Sequence, residues 1–98
     1  MILLFLVFVI DSNNPNIKDA KIALDFILSF VDADLEDTPL LIIFNKQDLS
    51  NARDPNKLFS QLDLTNSSIK KIIPLGVSAK TGLGIDILLE TITSILIS

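Results

Sequence analysis

The chain contains no cysteine and no histidine. Without cysteine it can form no disulfide, no thiolate metal site and no prenylated C-terminus. Without histidine it lacks the commonest general base and the commonest transition-metal ligand. Glycine is scarce, confined to Gly76, Gly82 and Gly84. No Gly-x-x-x-x-Gly-Lys-Ser/Thr loop for cradling phosphates exists in these 98 residues. Gly82 and Gly84 suit a tight turn. They do not make a dinucleotide fingerprint, which needs a third glycine and a downstream acid. Chemistry is left to carboxylates, lysines, backbone amides or a bound cofactor.

Positive charge is also in short supply. Eight Lys and Arg stand against twelve Asp and Glu, giving a net charge of −4. The basic residues are scattered, whereas a nucleic-acid binder gathers them on one face. Nucleic acid is therefore not an expected partner. The longest apolar run, residues 1–10, falls short of the ~20 residues that cross a membrane. It has no basic lead-in and no small-residue cleavage site, so it does not read as a secretory signal. Ile2 stands where N-myristoylation requires glycine.

Apolar residues make up 49% of the chain. That is enough apolar surface to offset chain ordering, so the chain reads as one folded unit rather than a disordered one. Residues 2–10 are continuously apolar and rich in Ile, Val and Phe. Continuous apolarity predicts a strand buried on both faces of a parallel sheet. Asn14-Pro15 then reads as a helix cap followed by proline at the first helical position. Ile17, Ala20, Leu24, Ile27, Leu28 and Val31 follow at helical spacing, with Ile22, Phe26 and Phe30 widening the stripe. Phe26, Phe30 and Phe59 are core candidates. Residues 32–37 form an acidic loop, read as a solvated surface.

Residues 40–44 are apolar and short enough for a second strand. Asp54-Pro55 repeats the cap-plus-proline signal, with Asp54 as cap, and Leu58, Phe59 and Leu62 mark a short helix. Residues 71–77 read as a third strand. Pro74 places it at a sheet edge, because proline lacks the donor a central strand needs. Ile85, Leu88, Leu89, Ile92, Ile95 and Leu96 predict a final helix with these residues on one face. Three β-α units in this order argue for an α/β fold, a parallel sheet flanked by helices. The first strand is the most hydrophobic yet has nothing before it, so the unit looks cut, with partners expected upstream.

Open α/β sheets bind ligands at the carboxyl ends of their strands. Each strand here ends in a polar cluster: Asp11-Ser12-Asn13, Asn45-Lys46-Gln47-Asp48 and Ser78-Ala79-Lys80. Asp11 alone reads as a turn residue ahead of a helix. Asn-Lys-x-Asp resembles the guanine-specificity motif of GTP-binding proteins, and Ser-Ala-Lys resembles their second base-binding loop. Each follows a predicted strand, a helix lies between them, and about thirty residues separate them, as in Ras-like GTPases. Residues 8–14 (Phe-Val-Ile-Asp-Ser-Asn-Asn) and 40–52 are similar to the ADP-ribosylation factor (Arf) and Arf-like family of small GTPases. The likeness spans nearly all of the chain. It departs at Ser78-Ala79-Lys80, where the founding Arf members carry Cys-Ala-Thr. An Arf-like protein, or a relative such as the β subunit of the signal-recognition-particle receptor, remains open.

The resemblance implies a truncated Ras-like P-loop GTPase fold, with residues 1–98 as its C-terminal part. It implies that Asn45, Lys46, Asp48, Ser78, Ala79 and Lys80 contact the guanine base of GTP or GDP. Asp48 would accept N1–H and the 2-amino group together, a pair that adenine does not offer. Asn45 would face N7, the Lys46 stem would lie along the base, and its ammonium would reach the ribose or upstream backbone. Ser78 would orient Asp48, Ala79 N–H would donate to O6, and Lys80 would cover the other face of the base. The P-loop, the switch regions and the Mg²⁺ ligands of a complete member have no counterpart here, so GTP hydrolysis is not expected of this polypeptide. The family further implies exchange factors, activating proteins and effectors as partners. It also implies a role in membrane traffic and a cytoplasmic address, peripheral to Golgi or other endomembranes. The competing readings are a standalone α/β interaction module without nucleotide, and a non-functional truncated product. A receiver domain fits less well, because its acidic pair is represented by Asp11 alone. The mean hydropathy of +0.54 and the unpartnered first strand favour self-association in the last case.

Overall fold

The computed structural model describes residues 5–13, 17–29, 37–50, 52–64 and 69–97. Six elements alternate along it: β1 (Leu6–Asp11), α1 (Ile17–Leu28), β2 (Leu40–Asn45), α2 (Pro55–Leu62), β3 (Ile72–Gly76) and α3 (Ile85–Ile97). The strands form one parallel sheet in the order β1-β2-β3. Phe8 sits opposite Ile42, and Ile42 opposite Pro74. This is the expected parallel α/β architecture.

Proline lies where its missing donor costs nothing. Lys71 and Val77 both bond to β2, through Leu40 N–H to Lys71 O and Val77 N–H to Phe44 O. Alternation along a parallel strand then turns Pro74 toward the free edge. The Asn14-Pro15 cap, Phe30, Val31 and residues 32–36 lie outside the described residues.

The sheet separates two apolar layers, which follow the strand alternation. Ile10, Leu40, Ile42 and Phe44 point one way and meet Leu24 of α1 and Leu58 and Leu62 of α2. Leu41, Ile43 and Val77 point the other way and meet Ile85, Leu88, Ile92 and Ile95 of α3. The strand buried on both faces is therefore β2, whose Leu40–Phe44 are all buried.

The first strand departs from expectation. Val7 is 49% and Val9 60% exposed, while Leu6, Phe8 and Ile10 pack into the first layer. β1 is an edge strand, and α3 is centred over β2 and β3, so the valine face of β1 has no helix across it among the described residues. Two helices also bury less than their apolar stripes suggest. In α1, Leu24 is buried, but Ile22, Phe26 and Ile27 are exposed, so Phe26 is not a core residue. Phe59 is half-buried against the first layer, as expected of a core candidate. In α3, Leu89 and Leu96 are exposed beside the four residues that pack. A helix that is apolar nearly all round does not announce its inner face; the sheet beneath it selects one.

Local chemistry fixes α2. Asp54 accepts the Asn56 N–H at 3.0 Å and Pro55 takes the first turn, as the cap signal predicted. The helix closes on Asp63 in the left-handed conformation (φ 46°). Lys21 reaches across from α1 and donates to Leu62 O at 2.7 Å and Asp63 O at 3.3 Å. A cation on the last carbonyls complements the helix dipole and ties the two helices together.

Candidate functional site

The site is built from the loops at the carboxyl ends of the three strands. β2 runs directly into residues 45–48, and this loop is anchored on both sides. Asn45 and Asp48 reach toward the loop after β3. Asn45 Oδ1 accepts the Ala79 N–H at 3.1 Å, and Asp48 Oδ1 accepts the Ser78 hydroxyl at 2.7 Å. Lys46 and Gln47 reach the opposite way, toward the loop after β1. Lys46 Nζ lies 2.8 Å from Asp11 Oδ2, and Gln47 Nε2 donates to Ser12 Oγ at 2.7 Å and to Arg53 O at 3.1 Å. The Gln47 N–H donates to Val77 O at 3.0 Å. Residues of one short loop thus join all three strand ends.

The second loop is equally fixed. Ser78 is fully buried, and its hydroxyl also accepts the Thr81 N–H at 3.1 Å. Its backbone N–H donates to Leu83 O, and its carbonyl accepts the Gly82 N–H, both at 2.8 Å. Gly82 and Gly84 take positive φ, 85° and 76°. At Gly84 a Cβ would stand 2.3 Å from Gly76 O, so both backbone angle and space demand glycine.

The structure brings all six predicted site residues together. Asn45, Lys46, Asp48, Ala79 and Lys80, with Leu49, line one cavity of about 390 Å³. Ser78 lies buried behind it, holding one oxygen of the exposed Asp48 carboxylate. Among the described residues Asp48 Oδ2 takes no hydrogen bond. A slightly larger cavity, about 450 Å³, lies by Pro39, Lys71 and α3, and contains none of the motif residues.

Two details differ from the roles expected by resemblance. The Lys46 ammonium, expected near a ribose or upstream backbone, is paired with Asp11. The Ala79 N–H, expected to face guanine O6, donates to Asn45. Asp11 closes β1 and leads into the turn, accepting the Asn13 N–H at 2.9 Å, and it is also the counter-ion of Lys46. The Lys46 hydrogen bond and the Asn13 N–H hold its carboxyl below the ordinary value of 3.8.

Sequence reasoning gave no role to Gln47 or Ser12. Ser12 is fully buried and bonded to Gln47. The available signal was the position of both in strand-end clusters, since a buried hydroxyl there needs a partner. Lys46 adopts φ 67°, a left-handed conformation that a non-glycine residue holds only when its surroundings demand it. The anchors on either side supply that demand.

Among the described residues no group of three or more Asp, Glu, His or Cys is placed to hold a metal ion. None of the described helices is long and apolar enough to cross a membrane. The statistical model of the ADP-ribosylation factor family matches residues 3–96, and the chain belongs to that family of small GTPases.

Proposed function

We propose that the chain is the base-recognition part of an Arf-like guanine-nucleotide switch, corresponding to the C-terminal part of the small-GTPase domain. The observation that carries this reading is the Asp48 carboxylate at the rim of a shared cavity. One oxygen is fixed by Ser78 and the other takes no partner among the described residues. A carboxylate held so accepts the N1–H and 2-amino donors of guanine as a fork. Adenine lacks that donor pair, and leaving the desolvated acceptor unpaired produces the discrimination.

The remaining residues shape the slot. Asn45 uses its oxygen on Ala79, which leaves its Nδ2 to donate to N7. The Lys46 stem and Lys80 line the cavity and sandwich the ring. O6 shares the Ala79 N–H with Asn45, so base selectivity rests chiefly on Asp48.

The nucleotide fits this donor set at its base only. The described residues supply no Mg²⁺ ligand cluster and the sequence no phosphate loop, so no phosphoryl-transfer step is assigned to this chain. Base contacts alone correspond to roughly millimolar affinity, about 4 kcal/mol. Exchange factors, activating proteins, effectors, a role in membrane traffic and an endomembrane address belong to this reading through the family.

The test is an NMR titration of the labelled chain with GDP, GTP and their adenine counterparts. Guanine nucleotides shift residues of the 45–48 and 78–80 loops at lower concentration than adenine nucleotides, and Asp48→Ala removes the difference. Equal responses to both bases in the wild-type chain would defeat the reading.

A further inference from the structure

We propose that Asp11 is a positioning residue of the base site: it holds the Lys46 ammonium on the β1 side, away from Asp48, and so keeps the Asp48 carboxylate open for a ligand. The inference rests on the guanine reading, and adds a residue from the first strand to a cavity lined by the other two loops.

Three observations support it. First, Lys46 and Asp48 line the same cavity, two positions apart, so the ammonium is a natural competitor for the carboxylate. Second, Lys46 Nζ is engaged with Asp11 Oδ2 at 2.8 Å, while the partner of Asp48 is the neutral Ser78 hydroxyl. Third, Asp11 is itself oriented, since its other oxygen accepts the Asn13 N–H at 2.9 Å. Both members of the ion pair are about half exposed, with side chains 52% and 41% accessible. Such a pair contributes little to folding, and its value lies in where it directs the charge.

The direction matters because a carboxylate paired with a lysine has fewer lone pairs for a neutral fork of N–H donors. Lys46 also sits in a left-handed conformation. Fixing its ammonium on Asp11 removes rotamers that would fill the cavity. Lys80 is the other cation lining the cavity, and it comes from the opposite loop.

Asp11→Asn is the informative change. It removes the charge but retains an oxygen for the Asn13 N–H. Guanine-nucleotide affinity falls by roughly two- to fivefold at low salt, the range of an exposed ion pair, and less at high salt. Asp11→Glu restores most of the loss. In a Lys46→Met background, which keeps an apolar stem without the ammonium, Asp11→Asn has no further effect. An equal loss in both backgrounds would overturn the proposal.

A second measurement is independent of nucleotide. In the wild type, a scalar coupling through the hydrogen bond links the Lys46 ¹⁵Nζ to the Asp11 carboxyl carbon. In Asp11→Asn that coupling moves to Asp48. Failure of the Lys46 ammonium to approach Asp48 in the variant would overturn the proposal. If the wild-type chain shows no guanine preference, the base reading fails and the coupling measurement alone decides the Asp11 role.

Discussion

Replacing Ser78 with alanine probes the joint between the two loops. The hydroxyl donates to Asp48 Oδ1 at 2.7 Å and accepts the Thr81 N–H at 3.1 Å, inside a residue with no exposed surface. A hydrogen bond to a charged group contributes ~1.5–3 kcal/mol, and a neutral one ~1 kcal/mol. Asp48 is exposed, so water recovers much of the first bond when the hydroxyl is removed. The Thr81 N–H bond is part-buried like the Asp48 bond, and both partner residues are exposed, so water recovers part of each. The net cost is about 1–2 kcal/mol. For a domain of this size that lowers the melting temperature by roughly 5–10 °C. Far-UV circular dichroism is the suitable probe, because the chain has neither Trp nor Tyr. A cycle with Asp48→Ala isolates the bond: the double variant is less destabilised than the sum of the singles by about 1 kcal/mol. A Ser78→Ala variant within ~0.3 kcal/mol of wild type, or strictly additive singles, would refute the joint.

Three further outcomes are expected. Gly84→Ala loses at least ~2 kcal/mol, because its Cβ meets Gly76 O at 2.3 Å in a left-handed backbone. Gly82→Ala, with nothing within 4 Å, loses only ~1 kcal/mol of backbone strain; urea midpoints of the two variants separate them. Leu24→Ala costs about 2–4 kcal/mol, since Leu24 is 1% exposed between α1 and the sheet. Ile22→Ala on the outer face changes stability by less than ~0.5 kcal/mol, and thermal melts rank the two. The Asp11 carboxyl titrates below its ordinary value of 3.8 in the folded chain. Its contribution is therefore complete above that value and disappears as pH falls through the lower, folded one. Asp11→Asn flattens the acid limb of the stability–pH curve below about pH 4 and leaves the slope near neutrality unaltered, as urea titrations at several pH values will show.

Much of the fold was legible because its signals are local. Asp54-Pro55 marked the start of α2 through a cap that needs only the next two residues. Pro74 marked an edge strand because a missing N–H is a property of the residue itself. The two polar loops were legible as strand-end clusters, and their thirty-residue separation is bridged by the Ser78–Asp48 bond. The exposure of Val7, Val9, Phe26, Leu89 and Leu96 was not legible. Their apolar runs satisfy the same periodicity whether or not a neighbour covers them. Only the position of α3 over β2 and β3, and of α1 and α2 on the opposite side, separates buried from exposed.

The sequence by itself determined the alternation of strands and helices, the parallel sheet and the presence of two polar loop motifs at strand ends. These depend on hydrophobic period, caps and residue chemistry, which are properties of neighbours along the chain. Tertiary structure decided which charge meets which. Asp11 and Lys46 are 35 positions apart and become partners only because β1 and β2 pair with Asp11 opposite Asn45. That register carries the lysine toward the first strand and leaves Asp48 to Ser78. No pattern within either segment specifies the choice, because an ion pair depends on distance in space and on the solvent around it.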